Sequence, residues 1–309
     1  MQCFDRMQQQ NNPTCVALGA FDGIHVGHRT IISSMCKYAE KKGLDSAVFT
    51  FSGSPAVLLG KSEAKMLTSQ PDKMRILEHL GVDKCFSLDF LQIMMMSPTE
   101  FIEELLIKEM NVKAVFCGFN YRFGKNALGN TELLEEVCGK YSVEVFVTAP
   151  VCLGGSVVSS SRIRELIEKG EMALANRLLG RPFSVELDIV EGKHNGRKVG
   201  VPTINQTPPS DFVVPKLGVY ASFAVINGKK HEAITNVGVR PTVGKGGLNY
   251  ETHIIGDFNE ELYGQAVRVE LLAFVRSERK FNNLSELSEQ IQKDINYIYD
   301  NNLYGLGFN

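Results

Sequence analysis

The sequence predicts two domains of different fold class: an N-terminal α/β domain with helices on both faces of a parallel sheet, and a C-terminal antiparallel barrel or sandwich with one closing helix. Three observations support this prediction. The chain has 309 residues, more than one hydrophobic core usually holds. Its first half alternates apolar runs with amphipathic stretches, whereas its second half has strand-like segments separated by Gly, Pro and Asn-Gly. We place the boundary between residues 180 and 181, giving domains 1–180 and 181–309, although a single large domain also fits the length.

The first domain is predicted to contain strands that alternate with helices. The apolar runs predicted as strands are residues 14–18, 46–51, 84–88, 114–118 and 143–147. The stretches between them carry apolar residues three and four apart, the spacing of an amphipathic helix. These predicted helices are residues 29–42, 71–80, 98–110 and 132–140. Strands that are linked by helices pair in parallel, so this order predicts a doubly wound α/β sheet.

The second half begins with two short predicted helices, residues 162–169 and 171–179, separated by Gly170. The strand-like segments that follow are residues 183–190, 219–226, 231–237, 251–255 and 266–274. Their spacing and turn residues indicate antiparallel pairing. A last helix is predicted over residues 284–301, where Leu and Ile recur at helical spacing.

Composition and charge exclude several classes of function. Lys and Arg total 33 against 35 Asp and Glu, so no global positive field would hold nucleic acid. Residues 1–13 lack an apolar segment, which argues against a signal peptide or membrane anchor. The seven Cys include no Cys-x-x-Cys pair, which argues against a zinc site or disulfide framework. We therefore expect a cytoplasmic protein, a monomer or weak homo-oligomer, with small-molecule ligands and no nucleic-acid or membrane partner.

A glycine-rich motif follows the first predicted strand. Residues 19–28 read Gly-Ala-Phe-Asp-Gly-Ile-His-Val-Gly-His and lead into a predicted helix. Backbone N–H groups and the positive end of the helix dipole can bind phosphate at such a turn. His25 and His28 would lie on nearly the same side of the first helical turn, where they could donate hydrogen bonds to ATP phosphates. The alternative is an ordinary strand-to-helix turn with surface histidines, against which the density of Gly, Asp and His argues. The candidate residues of this motif are Gly19, Phe21, Asp22, Gly23, His25, Gly27 and His28.

A second glycine-rich segment opens the barrel-like half. Its glycines alternate with basic residues, so its backbone amides could wrap around phosphates. Thr203 and Asn205 are two residues apart and would project to the same face of an extended segment. Mg²⁺ prefers oxygen ligands, so this hydroxyl and this amide, together with ATP oxygens, would suffice to bind it. Taken alone, a segment rich in Gly and Pro is usually only a surface loop. The candidates that precede Thr203 are Gly192, Gly196, Arg197, Gly200 and Pro202.

The motifs of the first domain resemble those of a known family. Residues 19–28 resemble the His-x-Gly-His signature of the nucleotidyltransferase superfamily, and their Gly-x-Phe-Asp-Gly portion is similar to the adenylyltransferase part of bacterial bifunctional riboflavin kinase/FAD synthetases. Residues 117–124 and 158–164 resemble two further elements of that part. The resemblance implies a Rossmann-like nucleotidyltransferase domain, with Arg162 or Arg164 offered to polyphosphate. The candidate residues that it adds are Asn120, Arg122, Ser159, Ser160, Ser161, Arg162 and Arg164.

The second motif resembles the Gly-x-Pro-Thr-x-Asn motif of riboflavin kinase. Further segments match that family in the same order, at residues 218–220, 236–242, 251–253, 262–264 and 276–281. The resemblance implies a β-barrel riboflavin kinase domain in which Thr203 and Asn205 bind Mg²⁺. It also implies that Glu251 is the general base for the ribityl hydroxyl and that Arg276 borders the flavin pocket.

The two resemblances cover nearly the whole chain and imply a bifunctional, Mg²⁺-dependent enzyme. One ATP would phosphorylate riboflavin to FMN, and a second would adenylylate FMN to FAD with release of pyrophosphate. Ser54 stands where the family usually has the His of a Pro-His-Pro sequence. One alternative is therefore a riboflavin kinase with weakened or lost adenylyl transfer. Another is a non-catalytic flavin or nucleotide sensor acting through RNA, against which the balanced charge argues.

Overall fold

The computed structural model describes residues 1–53, 55–58, 60, 65–190, 203–239, 247–256, 258 and 265–306. These residues form two compact units. The first takes the described part of residues 1–64 and 70–159, and the second takes residues 65–69 and the described part of 160–309. Contacts thus group residues 160–180 with the second unit. The boundary between residues 180 and 181 stays a prediction about where the two functional domains meet.

Six strands of the first unit form a fully parallel sheet within the described residues. They are β1 (Gln2–Phe4), β2 (Thr14–Leu18), β3 (Asp45–Phe51), β4 (Lys84–Leu88), β5 (Val112–Gly118) and β6 (Glu144–Thr148). The strands lie in the order β1-β4-β3-β2-β5-β6. The chain therefore leaves β2 toward one edge of the sheet and later returns to pair β5 on the other side of β2. A crevice at such a switch point, outside the carboxyl ends of the strands, is where open α/β sheets bind ligands.

Helices cover both faces of this sheet, which confirms the predicted fold class of the first unit. They are α1 (Val26–Lys42), α2 (Pro55–Leu58), α3 (Gln70–His79), α4 (Pro98–Glu100), a π-helical continuation (Phe101–Glu109) and α5 (Thr131–Lys140). Strand β2 is buried along its whole length. Its residues alternate between the two cores: Val16 and Leu18 pack with Phe101 on one face, whereas Cys15 and Ala17 pack with Met35 of α1 on the other. Burial on both faces explains the continuous apolar run in the sequence.

The second unit is a curved antiparallel sheet flanked by helices. Its elements are α6 (Ser160–Lys169), α7 (Met172–Leu179), β9 (Phe183–Asp188), β10 (Thr203–Gln206), β11 (Gly218–Ile226), β12 (Lys229–Val239), β13 (Leu248–Ile254), β14 (Ala266–Arg276) and α8 (Leu284–Asp300). A short hairpin of β7 (Cys152–Leu153) and β8 (Ser156–Val157) precedes it, in the first unit. The described strands lie in the order β10-β13-β12-β11-β14-β9.

The two edge strands of this sheet approach each other, as the predicted barrel requires. The Val190 N–H, just past β9, donates to the Asn205 carbonyl of β10 at 2.8 Å. The Gln206 side chain donates to the Leu187 carbonyl of β9 at 2.6 Å and to the Val267 carbonyl of β14 at 2.7 Å. Helix α8 packs its Ile298 against Val219, Ala221 and Leu272 of the sheet. The predicted antiparallel fold class with a C-terminal helix is confirmed.

Candidate functional sites

The predicted phosphate-binding motif forms a tight turn between β2 and α1, here called the histidine turn (residues 19–28). His25 occupies the N-cap of α1, and its Nδ1 accepts a hydrogen bond from the His28 N–H at 3.3 Å. Two buried non-glycine residues of the turn, Phe21 and Ile24, have left-handed backbone conformations with φ of 48° and 36°. Such strained positions persist only where the surrounding structure holds them, and they concentrate at functional sites. The surrounding structure therefore holds the turn in a strained conformation, and the turn lies at the carboxyl end of the central strand.

The two histidine rings of the turn stack on each other. Their centroids are 3.6 Å apart with an interplanar angle of 17°. A Cβ on Gly27 would lie 3.2 Å from the His25 ring, so glycine leaves room for this stack. Burial lowers the pKa of His28 well below its ordinary 6.5, and the charges of His25 and Lys73 lower it further. At neutral pH His28 is therefore uncharged, and it offers a single N–H donor rather than a cation.

The Nδ1 atom of His28 is buried and has no hydrogen-bond partner among the residues that the structure describes. An unsatisfied buried polar atom is costly in a folded protein and needs a reason. Here it lies at the helix N-terminus, beside the backbone amides that the turn presents. This geometry fits an anionic ligand that completes the hydrogen bonding of the site.

Lys73 of α3 is a residue of this site that the sequence reasoning missed. Its side chain is buried, and its ammonium donates to the Ala20 carbonyl at 3.3 Å and to the Phe51 carbonyl at 3.2 Å. Burial lowers its pKa, and the nearby Asp22 carboxylate opposes that shift. The sequence carried one signal: Lys73 shares the buried face of α3 with Ile76 and Leu77, where a charged residue is out of place.

The segment after β5 reaches the same edge of the sheet. Strand β5 pairs with β2 in parallel, with Ala17 opposite Phe116, so both strands end on one side. Asn120 and Arg122 are exposed just beyond β5. A Cβ on Gly118 would lie 3.5 Å from the Asn120 amide oxygen and 3.6 Å from Ile31 of α1. The structure therefore brings Asn120 to the edge that carries the histidine turn.

The serine-arginine segment divides between the two units. Ser159 ends the first unit, and Ser160 begins α6 in the second. The Arg164 guanidinium Nε donates to the Lys65 carbonyl, also in the second unit, at 2.5 Å. Arg162 and Ser161 lie on the first turn of the same helix. Their predicted polyphosphate contacts stay predictions.

The predicted kinase residues come together on one face of the second sheet. Asn205 of β10 lies directly opposite Glu251 of β13, and Thr203 lies opposite His253. On its other side Glu251 faces Asn236 of β12. Because alternate residues share a face, Thr203, Asn205 and Glu251 form one surface, here called the Thr-Asn-Glu face.

The Asn205 carboxamide is held by hydrogen bonds to its neighbours. Its oxygen accepts from Asn249 Nδ2 at 3.3 Å, and its Nδ2 lies 3.5 Å from the Thr203 hydroxyl. Asn205 and Asn249 are both buried, whereas Thr203 and Glu251 are exposed. Two neutral oxygen donors beside a carboxylate fit a hard cation such as Mg²⁺. Asn249 was missed by the sequence reasoning, and Asn236 was named only within the matching segment 236–242. Only strand register shows that these two residues adjoin Asn205 and Glu251.

Arg276 is bound to helix α8. Its Nε donates to both carboxylate oxygens of Asp294, at 2.9 and 3.0 Å, and its Nη2 donates to one of them at 2.8 Å. Asp294 is buried, with 4% of its surface exposed. Bidentate Arg–carboxylate pairs are strong and specific in geometry. Arg276 therefore fastens α8 to the end of β14, and its predicted place beside a flavin stays a prediction.

Six other predicted residues lie outside the described residues: Gly192, Gly196, Arg197, Gly200, Pro202 and Ser54.

No helix of the part that the structure describes is both long and apolar enough to span a membrane.

The fold and the two sites define a class of protein: a phosphate-transferring enzyme with an α/β nucleotide-binding unit and a separate antiparallel unit bearing its own catalytic face. Comparison with known families agrees, since residues 7–162 match the FAD synthetase family model and residues 179–301 match the riboflavin kinase model. The chain belongs to the bifunctional riboflavin kinase/FMN adenylyltransferase family.

Relatives that are named for both activities align with nearly the whole chain. The bifunctional riboflavin kinase/FMN adenylyltransferase of Bacillus subtilis is 34% identical over 294 residues, which cover 93% of this chain and 92% of the relative. The Escherichia coli protein of the same name is 33% identical over 292 residues, covering 93% of each. A crystal structure titled as a macrolide-efflux protein from Streptococcus pneumoniae has a TM-score of 0.84 and 30% identity, covering 95% of this chain and 97% of that one. The family resemblance stated from the motifs is thus confirmed.

Proposed function

We propose that this chain makes both flavin cofactors, phosphorylating riboflavin to FMN in its second unit and adenylylating FMN to FAD in its first. The observation that carries this proposal is the presence of both sites in one chain: stacked histidines at a switch-point turn, and a Thr-Asn-Glu face on a separate sheet. Riboflavin, FMN and ATP are its substrates. The enzyme acts in the cytoplasm, as a monomer or weak homo-oligomer, without a nucleic-acid partner.

In riboflavin phosphorylation, Glu251 acts as the general base. The terminal ribityl oxygen attacks the γ-phosphorus of ATP, its proton passes to the Glu251 carboxylate, and the bond to the bridging oxygen breaks to release ADP. Thr203 and Asn205 would hold Mg²⁺, which would neutralise phosphate charge when bound. The hydrogen bond from Asn249 keeps the Asn205 oxygen in one orientation. By the family resemblance, phosphate contacts are expected from Gly192, Gly196, Arg197, Gly200 and Pro202, which lie outside the described residues, and a flavin contact is expected from Arg276.

In adenylyl transfer, the first unit supplies donors rather than a proton acceptor. A phosphate oxygen of FMN attacks the α-phosphorus of ATP, and pyrophosphate leaves; no proton has to move, because the FMN phosphate is already ionised near pH 7. His25, His28 and the amides at the start of α1 donate to the charge that develops on the polyphosphate. A neutral His28 suits this role, since it donates without forming a tight ion pair with the substrate. Arg122 adds a cationic contact, and by the family resemblance Arg162 and Arg164 are expected to contact the polyphosphate as well. Further contacts come from Gly19, Phe21, Asp22, Gly23, Gly27, Asn120, Ser159, Ser160 and Ser161.

One time course tests the proposal and its alternatives. Riboflavin and MgATP are incubated with the protein, and the flavins are separated by chromatography. FMN should appear first and FAD after it. If FMN accumulates and supplied FMN yields no FAD, then adenylyl transfer has been lost, as the Ser54 alternative holds. If neither product forms, the chain is a flavin or nucleotide sensor rather than an enzyme.

A further inference from the structure

Lys73 is a buried cation at the edge of the sheet where the adenylyl-transfer site lies. Only 5% of its surface is exposed. A buried charge is expensive unless hydrogen bonds and nearby opposite charge compensate it, so its retention needs an explanation. Both hydrogen bonds of its ammonium go to main-chain carbonyls, those of Ala20 and Phe51. The ammonium group of Lys73 therefore positions the backbone at Ala20 and Phe51.

The two carbonyls belong to two different elements of the site. Ala20 lies in the histidine turn, directly after β2, and Phe51 is the last residue of β3. Each carbonyl also accepts a second donor: Thr50 Oγ1 donates to Ala20 at 2.8 Å, and Gln70 Nε2 donates to Phe51 at 2.9 Å. Four hydrogen bonds from Thr50, Gln70 and Lys73 thus tie the turn to the end of the neighbouring strand. We call this set the lysine clamp.

The lysine clamp acts where the backbone of the turn is strained. Phe21, next to Ala20, has φ of 48°, and Ile24 has φ of 36°. Strained backbone relaxes unless its neighbours are held. The amides and imidazoles that receive phosphate follow directly in the chain, so a shift at Ala20 moves them. Lys73 also places a positive charge close enough to His28 to help keep that ring neutral.

We propose that Lys73 is a positioning residue for adenylyl transfer: by clamping Ala20 to the end of β3, it fixes the histidine turn in the geometry that binds the ATP polyphosphate. This inference rests on the proposed function of the first unit. A positioning role differs from mere filling of the core, because a methionine of similar length would fill the same space without donating hydrogen bonds.

The test compares two buried lysines of the same sheet. Lys73→Met removes the clamp at the carboxyl edge. Lys84→Met is the matched control. Lys84 is also buried, but it is the first residue of β4 and so lies at the amino ends of the strands, away from the histidine turn. There its ammonium pairs with the Asp45 carboxylate at 2.8 Å. For each variant, kcat and KM for ATP are measured in FAD formation from FMN and in FMN formation from riboflavin. The kinase reaction of the same chain serves as the internal control for folding.

Lys73→Met should lower kcat/KM for ATP in adenylyl transfer about a hundredfold, the effect of displacing a reacting group by roughly 1 Å. Its riboflavin kinase constants should stay within about twofold, and Lys73→Arg, which keeps the charge and the donors, should recover part of the loss. Lys84→Met should leave both activities unchanged. Thr50→Val removes one donor of the clamp with little change of volume, so it should cause a smaller loss of kcat/KM for ATP in adenylyl transfer. This variant keeps the inference testable if Lys73→Met folds poorly.

Hydrogen exchange of the peptide that covers residues 19–28 provides a readout besides activity. Its amides should exchange faster in Lys73→Met and at the wild-type rate in Lys84→Met. The inference is overturned if exchange of this peptide is unchanged in Lys73→Met, or if Lys84→Met impairs adenylyl transfer as much. If the wild-type protein makes no FAD at all, the proposed function of the first unit fails, whereas the exchange comparison still decides whether Lys73 holds the turn.

Discussion

The neutral state of His28 makes the stability of the first unit depend on pH. Burial, His25 and Lys73 hold its pKa well below 6.5 in the folded protein. As pH falls, the unfolded chain therefore binds a proton at His28 that the folded chain does not bind. The stability that the neutral His28 contributes is present above about pH 6.5 and is lost as pH falls below that value. For one such group, proton uptake by the unfolded chain between pH 7.5 and 5.5 lowers the free energy of unfolding by an amount on the order of 1 kcal/mol.

The variant His28→Asn isolates this effect from the titration of other groups. Denaturant unfolding is followed by hydrogen exchange of the peptides that contain β2 and β5, at pH 7.5 and at pH 5.5. The wild-type protein should lose about 1 kcal/mol more than the variant between these two pH values. The strands of the second unit serve as the control, since their exchange should respond to pH equally in both proteins. Equal pH dependence of the first unit in wild type and variant would refute a neutral, desolvated His28.

Three further outcomes follow from the two sites. Glu251→Gln should lower FMN formation by about 10²- to 10⁴-fold, the usual contribution of a general base, while supplied FMN is still converted to FAD. His28→Ala should do the reverse, with FAD formation from FMN reduced by about 10²- to 10³-fold and riboflavin phosphorylation intact; a loss of both activities would contradict the separation of the sites. Asp294→Ala leaves the Arg276 guanidinium unpaired beneath α8 and should cost about 3 kcal/mol of stability in the second unit, measured by denaturant unfolding. Glu136→Ala breaks the exposed pair with Lys140 and should cost no more than about 0.5 kcal/mol; equal costs would show that the Arg276 pair is not buried in solution.

Local sequence patterns predicted most elements of the fold. Strands β2 and β4 begin and end at the predicted residues, because each is a short apolar run bounded by polar or glycine residues. The predicted helix over 98–110 is observed, although most of it is π-helical, which periodicity of apolar residues does not distinguish. Strand β1 was missed because its three residues pair only at the edge of the sheet, beside β4, and show no alternation of their own.

The sequence by itself determined the two fold classes, the histidine turn and the motif that contains Thr203 and Asn205, because each depends on residues close together in the chain. The tertiary structure decided which distant residues adjoin them. It placed Glu251 opposite Asn205 through strand register, bound Arg276 to Asp294 and brought the Lys73 ammonium under the histidine turn. Each of these contacts joins residues more than fifteen positions apart. Their energies come from burial and hydrogen bonding that exist only once the sheets have formed, so no local pattern could encode them.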